Sequence, residues 1–476
     1  MSWQAVIGIE VHAQLRTGRK LFCPDQARFG DDPNTHVCPV CLGLPGSLPT
    51  TDMAAVRLAL RTALALECTV HERSIWARKN YFYPDLPKGY QITQFEEPLA
   101  TDGVVEFDGA EGPAVVRVRR IHMEEDAGKS VHDRIPGATA VDLNRAGTPL
   151  VEIVTEPDLH TAADVRAFLV TLKQMLEYAD VSDCNMEEGS LRADANVSIR
   201  PSGDGGLGPK TEIKNVNSFS GIERAVTLEI ERQIAVVEGG GVVESETLLW
   251  DDHRGTLRSM RSKEESHDYR YVPDPDLPPL VLDPSEIEAA RSAVPEMPRA
   301  RSARFREAYG LSRYDADVLT QTAAGADYFE RVTAAGADAK AAANWVMGPA
   351  QALMNTRAET PTTFAVEAEG MAELLTLVQE GTISDGVGKK VLRTMAEGGG
   401  SARDIVAAEG LEQVRDSDAV AGWVDEVIAA NPDETTRYRG GEVRLIGFLV
   451  GQVMRLSGGK ADPRQVNELL RTRLDA

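Results

Sequence analysis

The chain has 476 residues, 42% of them hydrophobic and 26% charged, and a formal net charge of -23. That length exceeds what a single core organises, and that apolar content excludes a disordered chain, so two or three domains are expected. No apolar run is long enough to span a bilayer and the first residues lack a basic or cleavable leader, which predicts a cytoplasmic protein with no membrane partner; the acidic balance opposes a nucleic-acid partner except through local basic patches.

Residues 6–14 alternate, with Ile7, Ile9 and Val11 on one side and Glu10, His12 and Gln14 on the other, which predicts a strand with two chemical side chains on one face. Helical spacing follows over 52–66. Strand-like runs recur at 114–121, 149–155 and 195–200, and helices are predicted over 162–178 and 221–237. The stretch 272–280 carries four prolines, Pro273, Pro275, Pro278 and Pro279, which remove amide donors and fix φ, so no helix or central strand fits there. Beyond it Ala, Glu, Arg and Leu dominate at helical spacing, as in 298–309, 338–347 and 370–380. Gly398, Gly399 and Gly400 then precede compact helices over 422–429, 444–456 and 463–474. The fold expected is α+β: a cradle domain over 1–290 with a mostly antiparallel sheet and flanking helices, an all-α linker domain over 291–400, and a small all-α tail domain over 401–476.

Carboxylates concentrate among apolar residues in the first half: Glu10, Glu124, Glu125, Asp126, Glu152, Glu187, Glu188 and Asp194. Any one of them taken singly reads as a solvated sheet edge. Several carboxylates and one imidazole on a single face repel one another unless a cation offsets them, so Mg²⁺ is the economical explanation, and Mg²⁺ implies a phosphate-bearing substrate. Lys129, Arg145, Arg192 and Lys214 lie near these segments and suit phosphate or carboxylate. Neither a P-loop nor a kinase Gly-rich loop is present, so ATP, if used, is held in another way.

Five cysteines in so long a chain are not a disulfide framework. Cys38 and Cys41 form a C-x-x-C pair with Cys23 upstream, a zinc signal lacking its fourth cysteine. Asp25 or His36 supplies the missing ligand in one reading; in the other the segment is a metal-free loop.

The strings at 7–12, 78–85, 122–129, 142–149 and 186–196, together with 344–348 and 447–452, resemble the B-subunit family of the tRNA-dependent amidotransferases over nearly the whole chain. The resemblance implies an ATP-dependent carbon–nitrogen ligase with glutamine as amido donor, working as a heterotrimer with an amidase-type A subunit and a small C subunit. It implies that Glu-tRNA(Gln) or Asp-tRNA(Asn) is activated by ATP and Mg²⁺ as a side-chain acyl phosphate, which ammonia then displaces. On that footing Glu10, His12, Glu125 and Glu152 form the catalytic metal shell, with Glu124 and Asp194 as outer or alternative ligands. Many relatives carry a cysteine where Asp25 stands here. Lys79, Tyr81, Tyr83 and Lys88 either line or gate the ammonia channel or belong to a surface loop. Arg444, Arg455, Lys460 and Arg464 suit the outer corner of a tRNA.

Overall fold

The structure, a computed structural model, describes residues 2–260, 269–413 and 417–475. It divides into two units, Met1–Met297 and Pro298–Ala476.

The first unit is built on a nine-stranded sheet whose spatial order runs Thr256–Ser259, Thr247–Asp251, Thr211–Lys214, Leu191–Pro201, Trp3–Gln14, Pro149–Thr155, Gly112–Glu125, Ala100–Gly109 and Thr69–Val70. Every adjacent pair is antiparallel except Thr211–Lys214 with Thr247–Asp251. The alternation at the start of the chain puts Ile7, Ile9 and Val11 wholly inside the core with Val151, Ile153, Ile121, Met123, Ala193 and Ala195 from the neighbouring strands. Helices Met53–Ala65, Ala162–Tyr178 and Phe219–Glu238 supply the rest of that core through Leu60, Leu169, Leu172 and Ile222. Each starts at a side-chain cap: Asp52, Thr161 and Ser218 accept a backbone N–H from the first turn, which stops the preceding strand or loop and sets where the helix begins.

A smaller sheet, Val272–Pro273, Trp76–Asn80 and Tyr90–Gln94, is tied to the end of the long strand Gly112–Glu125. Gln91 Nε2 donates to Glu125 O at 2.7 Å, and Met123 N donates to Gln94 Oε1 at 3.1 Å. The proline stretch enters only as short strand ends, Val272–Pro273 and Leu280–Val281, because Pro cannot donate to a continuing ladder.

The second unit is helical and holds two separate cores. Phe305, Phe329, Trp345, Leu374, Leu375 and Val391 centre the first, which extends through Ile405, Val406 and Leu411. The other is made by Ser417–Ala430, Pro432–Arg439, Ile446–Leu456 and Pro463–Leu474, around Val420, Val424, Leu449, Val453 and Leu470. The glycines at 398–400 thus turn the chain inside one core: Gly399 (φ 71°) and Gly400 (φ 105°) reverse helix Asp385–Gly398 into Ala402–Glu409, whose Ile405 and Val406 pack back into it. A π-helical turn, Val346–Ala350, contains Pro349 and joins Ala339–Trp345 to Gln351–Arg357 without ending the rod, since the wider turn tolerates the missing amide.

Candidate active site and metal centre

The side of the large sheet opposite the apolar core is polar because the same strands alternate. Register places Arg192, His12, Glu152 and His122 in one row across four strands, with Asp194 beside Glu10 in the next. His12 Nε2 lies 3.5 Å from Glu124 Oε1 and 3.3 Å from Glu152 Oε2. His122 Nε2 lies 3.2 Å from Glu152 Oε2 and 3.8 Å from Glu124 Oε2. Ligand atoms of His12, Glu124 and Glu152 all fall within 4.8 Å of one another, a spacing that one ion can bridge.

The electrostatics match that crowding. Burial opposes charge on both carboxyls, yet His122 and His12 hold Glu152 well below the ordinary carboxylate range, and the hydrogen bond to His122 holds Glu124 below it too. Burial likewise opposes charge on His122, but the Glu152 and Glu124 carboxylates push it up to about 9. Glu10 is raised by burial and by its neighbours Glu152, Glu212 and Asp194. Burial opposes charge on His12 too, yet the same carboxylates raise it; two carboxylates and an imidazole aimed at one point are a donor set that a divalent ion accepts.

Period-two alternation separates Glu124 from Glu125. Glu124 shares a face with His122, whereas Glu125 turns away to accept Ile92 N at 2.9 Å and form a buried ion pair with Lys88. Glu125 is therefore outside the convergent trio, and Glu124, the alternative ligand, is inside it. Glu10 accepts from Asn196 Nδ2 at 3.3 Å, on the same face but outside the trio. Asp194 pairs with Lys214 at 3.4 Å, and Lys214 also reaches Glu212 at 3.1 Å.

Arg192 and Arg145 meet at Asp126, a carboxylate that the sequence leaves without a role. Asp126 accepts Arg192 Nη2 and Gln14 Nε2, each at 2.9 Å, and lies 3.6 Å from Arg145 Nε. Burial works against its charge, but the two guanidinium groups hold its carboxyl below the usual range. Arg145 also donates to Ala127 O at 3.0 Å and Gly128 O at 2.7 Å, closing the turn after Glu125. Lys129 stands exposed on the hairpin Lys129–Ile135 and Ala138–Asp142.

Of the segment 79–88, Lys79, Tyr81 and Lys88 are directed inward and Tyr83 is 60% exposed. Lys79 Nζ sits 4.8 Å from the centre of the Tyr269 ring, which also meets Tyr81 edge-on. Burial would lower the Lys79 pKa, but Glu124, Tyr271 and Glu152 hold its ammonium above its usual value. His122 is a member of the face that sequence reading missed. Its signal was there: it precedes Glu124 by two residues, the spacing that puts both on one side of a strand.

The cysteine segment gathers as well. Cys23 Sγ lies 3.5 Å from Cys41 Sγ, Cys38 Sγ lies 3.8 Å from it, and Asp25 Oδ2 is 3.2 Å away. Tetrahedral Zn²⁺ with bonds of about 2.3 Å sets its sulfurs roughly 3.8 Å apart, so this four-donor set fits zinc. Asp25 fills the place of the missing cysteine. His36 lies outside the four-donor set, and its Nε2 pairs with Asp31 at 2.7 Å. The proton shared between Cys23 and Cys41 raises the first thiol and, with Lys20 nearby, draws the second down to about 6.

No helix among the described residues is long and apolar enough to cross a membrane. In the tail, Arg444, Arg455 and Arg464 are exposed and Lys460 is half-buried.

Comparison with known proteins meets this geometry from the other side. Residues 5–288 match the family described as the GatB/GatE catalytic domain, and residues 327–474 match the GatB domain. The B subunit of the aspartyl/glutamyl-tRNA(Asn/Gln) amidotransferase from Moorella thermoacetica is 52% identical over 476 residues, covering 100% of both chains. Its counterparts in Chlorobium limicola and Myxococcus xanthus are 48% and 49% identical, covering 98% or more of each chain. With the matched domains spanning the polar sheet face and most of the helical unit alike, the chain belongs to the family of B subunits of the aspartyl/glutamyl-tRNA(Asn/Gln) amidotransferases.

Proposed function

We propose that this chain is the carboxylate-activating subunit of a glutamine-dependent amidotransferase that converts Glu-tRNA(Gln), Asp-tRNA(Asn) or both to the amide form. The observation that carries the reading is the convergence of His12, Glu124 and Glu152 on one polar sheet face. Bound there, Mg²⁺ would supply charge neutralisation between an anionic carboxylate and an anionic nucleotide.

The reaction is a phosphoryl transfer followed by an acyl transfer. A side-chain carboxylate oxygen of the esterified amino acid attacks the γ-phosphorus of ATP and ADP leaves; ammonia then attacks the acyl carbon and inorganic phosphate leaves. No enzyme nucleophile is needed, so the protein's work is positioning and electrostatics. His12, Glu124 and Glu152 would hold the divalent ion, and Lys79 would offset charge on the transferring group. Glu10 and Asp194 line the same face, and Arg145 and Arg192, locked on Asp126, keep the turn behind Glu124 in place. Lys214 and the exposed Lys129 remain candidates for substrate phosphate. The inward row Tyr81, Lys79 and Lys88 suits passage of ammonia from an amidase-type A subunit, with the Lys88–Glu125 pair as the gate, in a heterotrimer completed by a small C subunit. Zn²⁺ bound by the cysteine cluster would be structural.

The test is direct. The reconstituted complex with γ-labelled ATP, Mg²⁺ and Glu-tRNA(Gln) should form labelled acyl phosphate when ammonia is withheld. Glu152→Gln and His12→Ala should reduce that label at least 100-fold while glutamine hydrolysis persists. Undiminished label in either variant rules the assignment out.

A further inference from the structure

Lys20 has no exposed surface at all. Its ammonium donates to three acceptors from three places in the sequence: His36 O at 2.6 Å, Leu143 O at 3.3 Å and Cys41 Sγ at 3.4 Å. Two carbonyls alone are a poor environment for a buried cation, which costs several kcal/mol unless an anion offsets it. Zinc held by three thiolates and the Asp25 carboxylate has surplus negative charge, since four anionic ligands surround a divalent ion. The ammonium and the loaded centre therefore stabilise each other, and Leu143 O ties a distant loop to that pair.

The loop so held is 142–149, which carries Arg145. Leu21 N donates to Gly147 O and Gly147 N donates to Asp126 O, both at 2.8 Å, so the backbone beside Lys20 leads to the carboxylate that clamps Arg192. Gly147 has φ 87°, and an added Cβ there would meet the Lys20 chain at 3.2 Å. A second contact runs from the C-x-x-C turn. Gly43 has φ 63° and lies so close to Lys88 that a Cβ would come within 2.7 Å of its Cγ and 3.1 Å of its Cα. Lys88 in turn holds Glu125.

We propose that Lys20 is a positioning residue: it couples the zinc-loaded cysteine cluster to the loop 142–149 and so fixes Asp126, Arg145 and Arg192 behind the carboxylate face. Its consequence for turnover rests on the phosphoryl-transfer reading above, but the coupling itself does not. Amide hydrogen exchange of the full chain tests it without ATP or tRNA. Stripping zinc from the unaltered protein with a chelator should speed exchange at Ala146, Gly147 and Thr148 at least tenfold, leaving helix Ala162–Tyr178 unchanged. Lys20→Met, reloaded with zinc, should show the same local acceleration and release zinc at least tenfold faster. Unchanged exchange at those three amides on zinc removal overturns the coupling, as does wild-type exchange and zinc release in the Met variant. A uniform rise that includes helix Ala162–Tyr178 also overturns it, because that outcome assigns Lys20 a general stabilising role. Should the Met variant not fold, the zinc-removal arm on the unaltered chain decides alone.

Discussion

Two neighbouring carboxylates on one strand, Glu124 and Glu125, have different partners because a strand sends successive side chains to opposite faces. Mn²⁺, a spectroscopic substitute for Mg²⁺, reads the difference. Glu124→Gln and Glu152→Gln each remove a convergent oxygen and are expected to weaken Mn²⁺ binding by about 10–100-fold, the loss typical of metal-site partners. Glu125→Gln removes only the partner of Lys88 and should leave the affinity within about threefold; electron paramagnetic resonance titration measures both, and equal losses at 124 and 125 would refute the facing. His122 gives a pH test. Its imidazole is opposed by burial but held up to about 9 by Glu152 and Glu124, against an ordinary 6.5. A pKa raised by folding contributes stability fully below the ordinary value and loses it as pH climbs through the folded value. The metal-free chain should thus lose thermal midpoint between about pH 7 and about pH 9.5, and His122→Gln should flatten that fall. A midpoint that rises over this interval contradicts the assignment.

The first strand and the helices that cover it were legible in the sequence because one physical variable, burial on one face, repeats along each of them. Ile7, Ile9 and Val11 announce the buried side, and helix Ala162–Tyr178 falls where its period predicts, with Thr161 found as its cap. What the sequence withheld depends on pairing between elements. His122 joins Glu152 only through the register of Gly112–Glu125 against Pro149–Thr155, which no local pattern encodes. For the same reason the clamp at Asp126 was hidden, since its partners Gln14, Arg145 and Arg192 come from three other segments. The glycines at 398–400 misled in another way: flexible φ marks a turn equally well inside a core or between cores, and only the burial of Ile405 and Val406 distinguishes them. At this scale the support behind the site can be probed apart from its chemistry. Leu172, 1% exposed, joins helix Ala162–Tyr178 to the sheet core, and Leu172→Ala should cost about 2–5 kcal/mol. Thr161→Ala removes the cap together with the hydroxyl's bond to Asp164 Oδ2 and should cost about 1 kcal/mol. Urea midpoints measure both, and a cap loss as large as the cavity loss would contradict the packing.

Over the whole molecule the net charge of -23 repels a polyanion, so contact with tRNA depends on how charge is distributed and not on its sum. Residues 443–474 hold six basic side chains, Arg444, Arg455, Lys460, Arg464, Arg471 and Arg473, against two acidic ones, Asp462 and Glu468. This local reversal lies on a helical group with its own core, so the cations are presented by a body that does not need the rest of the chain to pack its interior. Phosphate contacts of this kind release condensed counterions, and each contributes close to one unit to the slope of log affinity against log salt. Replacing Arg444, Arg455 and Arg464 together by Gln should therefore lower that slope by about two to three. It should weaken aminoacylated and deacylated tRNA alike, because phosphates carry no information about the esterified amino acid. The three side chains are exposed, so the substitution leaves the core of Val420, Val424, Leu449 and Val453 intact and the thermal midpoint should hold. Filter binding over a range of salt concentrations reads the slope; an unaltered slope with an unaltered midpoint would mean that these cations meet no phosphate.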